Sequence, residues 1–211
     1  MARPAFAVAF FGPELLEYRT LPAANFRTLP IVPVIDGEMT QHLQEVAELG
    51  RMLGNRQGVF AKAGDSITAQ FSHFMIPLGQ VGYNAAAAGL GNYGSAAVGT
   101  WAAYLGTPIG FENSYTRTSS SAYPGWTSAT VAGTMAGEIA AIRPAITLVM
   151  VGTNDATHGN IPYYRSMLES IVRTNLDRGV IPILSTIPEN LTAPNFATWT
   201  AAVNQTVADV A

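Results

Sequence analysis

Two short polar motifs each follow a run of residues that is typical of a buried strand. Gly64-Asp65-Ser66 follows the run 59–63, and Gly152-Thr153-Asn154-Asp155 follows the apolar run 146–151. Runs of four to eight apolar residues that end at turn-forming residues are typical of strands buried in a parallel sheet. The carboxyl ends of parallel strands lie at one edge of the sheet. The two motifs are therefore expected to meet at one crevice, with a serine nucleophile in the first and an amide oxyanion donor in the second.

The remainder of the chain alternates helical periods with apolar runs. Helices are predicted over 38–54, 96–105, 127–142, 162–178 and 196–211, with a third strand over 180–184. A further helix is expected to begin at Ser66 and to continue through Phe71 and Phe74 as far as Pro77, and the polar segment 114–124 has room for a short strand. This alternation predicts an α/β fold with a mostly parallel sheet and helices on both of its faces.

The chain of 211 residues is long enough for one domain with a substantial core. Residues 1–37 contain five prolines and show no sustained period, so they are expected to form an irregular N-terminal arm. Residues 38–211 are expected to form the single domain.

Composition excludes several classes of function. A net charge of −3 gives no electrostatic case for binding nucleic acid or an anionic membrane surface. The absence of cysteine excludes disulfides and a thiol nucleophile. No apolar run reaches the ~20 residues of a transmembrane helix, and Pro4 and Pro13 interrupt the only stretch that resembles a signal peptide. Ligand-spaced His, Asp or Glu clusters and a phosphate-binding glycine loop are also missing, so no metal or cofactor is expected.

The two motifs, in this order, resemble those of the SGNH (GDSL-like) esterases and lipases, and the block 121–128 resembles that family's second motif. The resemblance implies a three-layer α/β/α sandwich with a flavodoxin-like parallel sheet. It also implies hydrolysis of a carboxylic ester, of a small molecule, carbohydrate or lipid, through an acyl-serine. Ser66 would be the nucleophile, and the N–H groups of Ser66 and Gly125 with the side chain of Asn154 would bind the oxyanion. An extracellular location is compatible with the family, although the sequence leaves the compartment open.

The general base is missing from its expected place. The family carries Asp-x-x-His near its C-terminus, whereas no histidine follows Leu184. The chain is therefore expected to lack a C-terminal piece together with the last strand of the sheet, and to bind a complementing segment or self-associate through the open edge. Asp155-Ala156-Thr157-His158 has the same spacing after a middle strand, which leaves His158 as a substitute base; His42 and His73 are expected to be packed or surface residues.

Each motif also has a purely structural interpretation. Ser66 could be a helix N-cap, Gly125 a glycine at a helix start, and Asn154 part of an Asx-turn. The chain would then be a non-catalytic binding or scaffold module, or a flavodoxin-like binder of a nucleotide or flavin, on the same fold. The segment 115–123 and the pair Tyr163-Tyr164 could line a substrate groove or simply pack.

Overall fold

The computed structural model of the protein describes residues 26–28, 30, 34–69, 75–80, 89–189 and 196–211. The helices are α1 (Gly37–Met52), α2 (Ser66–Ala69), α3 (Ser95–Gly106), α4 (Ser128–Ile142), α5 (Ile161–Leu176) and α6 (Ala197–Val210). The strands are β1 (Arg56–Gly64), β2 (Ser121–Ala122), β3 (Pro144–Met150) and β4 (Ile181–Leu184).

The four strands form one parallel sheet in the order β2-β1-β3-β4. The last residue of β1, Gly64, is level with Ala122 of β2 and with Met150 of β3. The carboxyl ends of these three strands therefore lie side by side. Within the part of the chain that the structure describes, no strand pairs with the outer edge of β4.

One face of the sheet carries the main hydrophobic core. Alternate residues of β1, such as Val59 and Ala61, pack with Val131 and Met135 of α4 and with the buried faces of α5 and α6. All four of these side chains are completely buried. Burial of an aliphatic side chain contributes roughly 1.5–3 kcal/mol, so this face supplies most of the apolar stabilisation.

The other face of the sheet packs against α3 and the segment 107–120. Phe60 meets the rings of Tyr104 and Tyr115 edge to face, at centroid distances of 5.2 and 5.0 Å. The next residue on this face, Lys62, is buried, and its Nζ donates a hydrogen bond of 2.7 Å to the carbonyl oxygen of Tyr115. A charge buried in this way is stable only because the amine has a partner.

The predicted α/β architecture, with helices on both faces of a parallel sheet, is confirmed, and the short strand expected within 114–124 is β2. Residues 70–74, with Phe71, His73 and Phe74, lie outside the described residues, as do residues 1–25 of the expected arm. None of the helices that the structure describes has both the length and the apolar character needed to span a membrane.

Candidate active site

Gly64, the last residue of β1, lets neighbouring atoms approach its backbone closely just before the Asp65-Ser66 pair. A Cβ at this position would lie 2.1 Å from the carbonyl oxygen of Met150 and 2.3 Å from Oγ1 of Thr68, so only glycine fits. Asp65 is buried, and its Oδ1 accepts a 3.1 Å hydrogen bond from the N–H of Ile67. Ser66 follows as the half-buried first residue of α2, at the carboxyl edge of the sheet.

Asp65 ionises less readily than an ordinary aspartate. Burial raises the pKa of its carboxyl group and the nearby charge of Asp155 adds to this, while the hydrogen bond from the N–H of Ile67 and the neighbouring polar groups of Thr153 oppose it. Oδ2 of Asp65 and Oγ1 of Thr153 nevertheless fall outside hydrogen-bonding geometry and are the buried side-chain polar atoms left unpartnered among the described residues. The end of β1 thus carries a desolvated carboxyl group directly before Ser66.

The loop that contains Gly125 is attached at one side to the end of β1 and at the other to the turn after β3. The N–H of Tyr123 donates to the carbonyl oxygen of Gly64 at 3.3 Å, and Nδ2 of Asn154 donates to the carbonyl oxygen of Trp126 at 3.0 Å. Gly125 lies between these two contacts, exposed, with a φ of +85° that favours glycine. The structure therefore brings the segments of the three predicted residues to one edge of the sheet.

Three residues at this edge keep an N–H donor that no described residue accepts. Among the residues that the structure describes, no acceptor takes the backbone N–H of Ser66 or of Gly125. The amide of Asn154 uses one N–H on Trp126 and has a second available. Unpaired, fixed N–H groups beside a serine are what stabilisation of an oxyanion requires.

The residue after Asn154 fixes the start of α4. The carboxylate of Asp155 accepts hydrogen bonds from the N–H of Ser128 at 2.9 and 3.2 Å and from its hydroxyl at 2.5 Å. An anion at a helix N-terminus satisfies unpaired N–H groups and interacts favourably with the helix dipole. Sequence reasoning did not identify Ser128 or the carbonyl group of Trp126 as partners of the 154–155 turn, since no local signal links them to it.

Residues 63–211 match the model of the GDSL-like Lipase/Acylhydrolase family. The chain belongs to this family. The matched region contains Ser66, Gly125 and Asn154, and membership supports ester-type hydrolysis in general. No curated protein and no solved structure matches the chain.

Of the three histidines of this GDSL-like protein, His42 and His158 are described, and neither contacts Ser66. His158 is exposed and its Nδ1 lies 3.1 Å from the hydroxyl of Thr157, while the carboxylate of Asp155 is bonded to Ser128 instead. His42 lies on α1 near Glu45; burial lowers its pKa and the Glu45 charge opposes this. A role for His158 as a base stays a prediction.

Two aromatic residues hold the end of β3: Trp199, which sequence reasoning did not assign to the site, and Tyr164, for which it left a groove-lining role and simple packing open. The indole N–H of Trp199 donates to the carbonyl oxygen of Gly152 at 2.9 Å, and the hydroxyl of Tyr164 donates to that of Val151 at 3.0 Å. Tyr164 is completely buried, and burial together with nearby carboxylates raises its pKa, so its hydroxyl stays a donor. Helices α5 and α6 thereby fix the backbone that leads to Asn154.

Within the described ranges, acidic and histidine side chains do not cluster as a metal site would require. No group of three or more such residues among those described is placed to hold an ion.

Proposed function

We propose that this chain is a serine hydrolase of carboxylic esters that acts through an acyl-serine intermediate. The observation that supports it is that Ser66, Gly125 and Asn154 follow three neighbouring strand ends and retain N–H donors without an acceptor among the described residues. These donors are attached to three neighbouring strand ends, so they do not need to reorganise when charge develops.

In the first step, Oγ of Ser66 attacks the ester carbonyl carbon and gives its proton to a base. The carbonyl oxygen becomes an oxyanion held by the N–H donors of Gly125 and Asn154. Collapse of this tetrahedral species expels the alcohol, which takes up the proton, and leaves the acyl group on Ser66. Water then attacks the acyl-serine in the same manner and releases the carboxylic acid.

The general base is the one part of this mechanism that the described residues do not supply. No described histidine contacts Ser66, so the chain by itself is expected to hydrolyse an activated ester such as p-nitrophenyl acetate feebly. An oxyanion site without its base still supports roughly 10³-fold acceleration over water. A further segment that carries Asp-x-x-His, supplied in cis or in trans, is expected to raise the rate strongly.

Covalent labelling tests the nucleophile without depending on turnover. The chain is incubated with an excess of an aryl fluorophosphonate, and the adduct is located by peptide mass spectrometry. We expect one adduct, on Ser66, which is lost in Ser66→Ala. Ser185→Ala is the matched control, because Ser185 follows the carboxyl end of β4 and its hydroxyl donates to the neighbouring Thr186 carbonyl. An adduct that persists in Ser66→Ala would exclude the proposal.

The second candidate is a non-catalytic binding module on the same fold. It is favoured by the same observation, that no described histidine contacts Ser66. Such a module would bind an ester without forming an adduct, and the added Asp-x-x-His segment would not create activity.

A further inference from the structure

We propose that Asp65 is a positioning residue of the candidate site, whose ionised carboxyl group holds Thr153 and thereby fixes the amide of Asn154. This inference rests on the proposed hydrolase and gives a role to two residues that the mechanism above does not use. It starts from two buried polar atoms that lack partners.

The two atoms belong to the two polar motifs of the site. Among the described residues, the buried side-chain atoms without a hydrogen-bond partner are Oδ2 of Asp65 and Oγ1 of Thr153. Asp65 directly precedes Ser66, and Thr153 directly precedes Asn154. Buried polar atoms are nearly always paired in folded proteins, so two exceptions beside the nucleophile and the oxyanion donor point to a function rather than to packing.

Asp65 and Thr153 face each other across the ends of β1 and β3. Gly64, the last residue of β1, is level with Met150 at the end of β3. The backbone and side-chain groups of Thr153 lie close enough to the Asp65 carboxyl group to lower its pKa, against the larger effect of burial. A donor lowers the pKa of a carboxyl group by stabilising its ionised form. Thr153 therefore faces this carboxylate as a donor.

The contact is placed so that it also sets the position of the oxyanion donor. Oδ1 of Asp65 accepts the 3.1 Å hydrogen bond from the N–H of Ile67, which leaves Oδ2 for Thr153. Asn154 is the next residue, and its Nδ2 is bonded to the carbonyl oxygen of Trp126 at 3.0 Å. Catalytic hydrogen bonds are often long in the free enzyme and tighten when the substrate binds. A shift that brings Oγ1 of Thr153 onto Oδ2 would carry the Asn154 amide with it.

Ionisation of Asp65 controls this contact, because a protonated carboxyl group is the poorer acceptor. The charge of Asp155, on the turn after β3, raises the pKa of Asp65, and Asp65 in turn raises the pKa of Tyr164 on α5. The adjoining segments 66–69 and 121–127 contain no Asp, Glu, His, Lys or Arg. Because the folded pKa of Asp65 lies above its ordinary value, the contact should be present at neutral pH and lost as the pH falls through that raised value.

The pH profile of Ser66 labelling tests this role. Fluorophosphonate labelling rates are measured for the native chain and for Asp65→Asn between about pH 4 and 9. Asparagine keeps the acceptor for Ile67 but presents an NH₂ group to Thr153, so it imitates the protonated acid. It should label about tenfold more slowly than the native chain at pH 8, as loss of one hydrogen bond to a charged group implies, and the two rates should converge at low pH. The matched control is Asp177→Asn, at the exposed C-terminal end of α5, with a rate ratio near one throughout.

Carbon-13 NMR of the aspartate carboxyl groups measures the contact without any reaction. Thr153→Val removes the hydroxyl donor and keeps the branched shape of the side chain. We expect it to raise the pKa of Asp65 further, because the ionised form loses a donor, and to slow labelling about threefold at pH 8. Thr153→Ser restores the hydroxyl and should restore both values.

The outcomes separate this inference from the proposed function. A rate ratio that changes with pH, together with a raised Asp65 pKa in Thr153→Val, supports the positioning role. Equal labelling of Asp65→Asn and the native chain at pH 8, an unchanged or lowered Asp65 pKa in Thr153→Val, or a labelling loss that is the same at every pH would overturn it. Absence of Ser66 labelling in the native chain would reject the hydrolase, while the carboxyl titration still decides whether Thr153 holds Asp65.

Discussion

Replacement of the buried Glu138 by glutamine is expected to lower the free energy of unfolding more than replacement of an exposed charged residue does. The Glu138 carboxylate is completely buried in α4, where it pairs with both terminal nitrogens of Arg117 and accepts from the N–H and hydroxyl of Ser120 at 2.9 and 2.7 Å. Burial alone would raise the pKa of Glu138, but Arg117 and Ser120 hold it below its usual range. Both partners lie just before β2, so the carboxylate fixes the segment that leads into the Gly125 loop.

The size of the effect follows from what glutamine leaves behind. The amide of glutamine can accept hydrogen bonds with one oxygen only. Its NH₂ group would then face the N–H and O–H donors of Arg117 and Ser120. The Arg117 side chain, 11% exposed, would keep an uncompensated charge. Removing one partner of a buried pair costs about 3–5 kcal/mol. For a domain of this size that corresponds to a fall in melting temperature of roughly 10 °C.

Urea denaturation followed by circular dichroism measures this loss. Glu138→Gln should lower the midpoint and leave the slope unchanged. Because the folded pKa of Glu138 is depressed, its contribution is present above the unfolded pKa and is lost as the pH falls through the folded value. The variant should therefore lose less stability than the native chain on acidification. The matched control is Asp209→Asn, whose partner Arg165 is 35% exposed, with an expected loss below about 1 kcal/mol. A loss below ~1 kcal/mol in Glu138→Gln, or equal losses in both variants, would refute the reasoning.

Three further predictions concern Lys62 and the site. Burial, with the charge of Arg117, lowers the pKa of Lys62 to about 8. Between about pH 8 and 10 the unfolded chain therefore binds more protons than the folded chain, so the free energy of unfolding should rise with pH in that range. Lys62→Met should abolish this rise in urea titrations. Asn154→Ala should slow fluorophosphonate labelling of Ser66 about 10²-fold, the cost of one oxyanion donor, and unchanged labelling would remove Asn154 from the site. His158→Ala should leave the weak hydrolysis of p-nitrophenyl acetate unchanged, since its ring contacts Thr157; loss of all activity would instead make His158 the base.

The strands and long helices could be predicted from the sequence because their signals are local. The runs 59–63 and 146–151 are buried strands, and the period of 127–142 is that of α4. The two-residue β2 was foreseen only as a possibility within a polar segment. Ser121 and Ala122 have little intrinsic preference for a strand, and they form one because Ala63 and Gly64 offer a partner.

The sequence predicts the place of those site residues that directly follow a strand. Ser66 and Asn154 follow parallel strands and so had to reach the same edge. Their partners could not be predicted. The contact between Asn154 and Trp126 joins residues 28 apart in sequence, and that between Asp155 and Ser128 joins residues 27 apart. Both depend on how α4 packs on the sheet. Glu138 is the one charged residue in α4, and this alone could have predicted a buried ion pair such as the one it forms with Arg117.

The single lysine of the chain can report local opening of the structure, because its amine reacts only when it becomes exposed. Lys62 is 2% exposed near the carboxyl end of β1, so amine-directed reagents cannot reach its side chain while the segment 107–120 covers it. Acylation of that amine therefore requires β1 to separate from the segment 107–120. The rate of modification at Lys62, observed by peptide mass, would report how often this segment separates from the sheet in native buffer without denaturant.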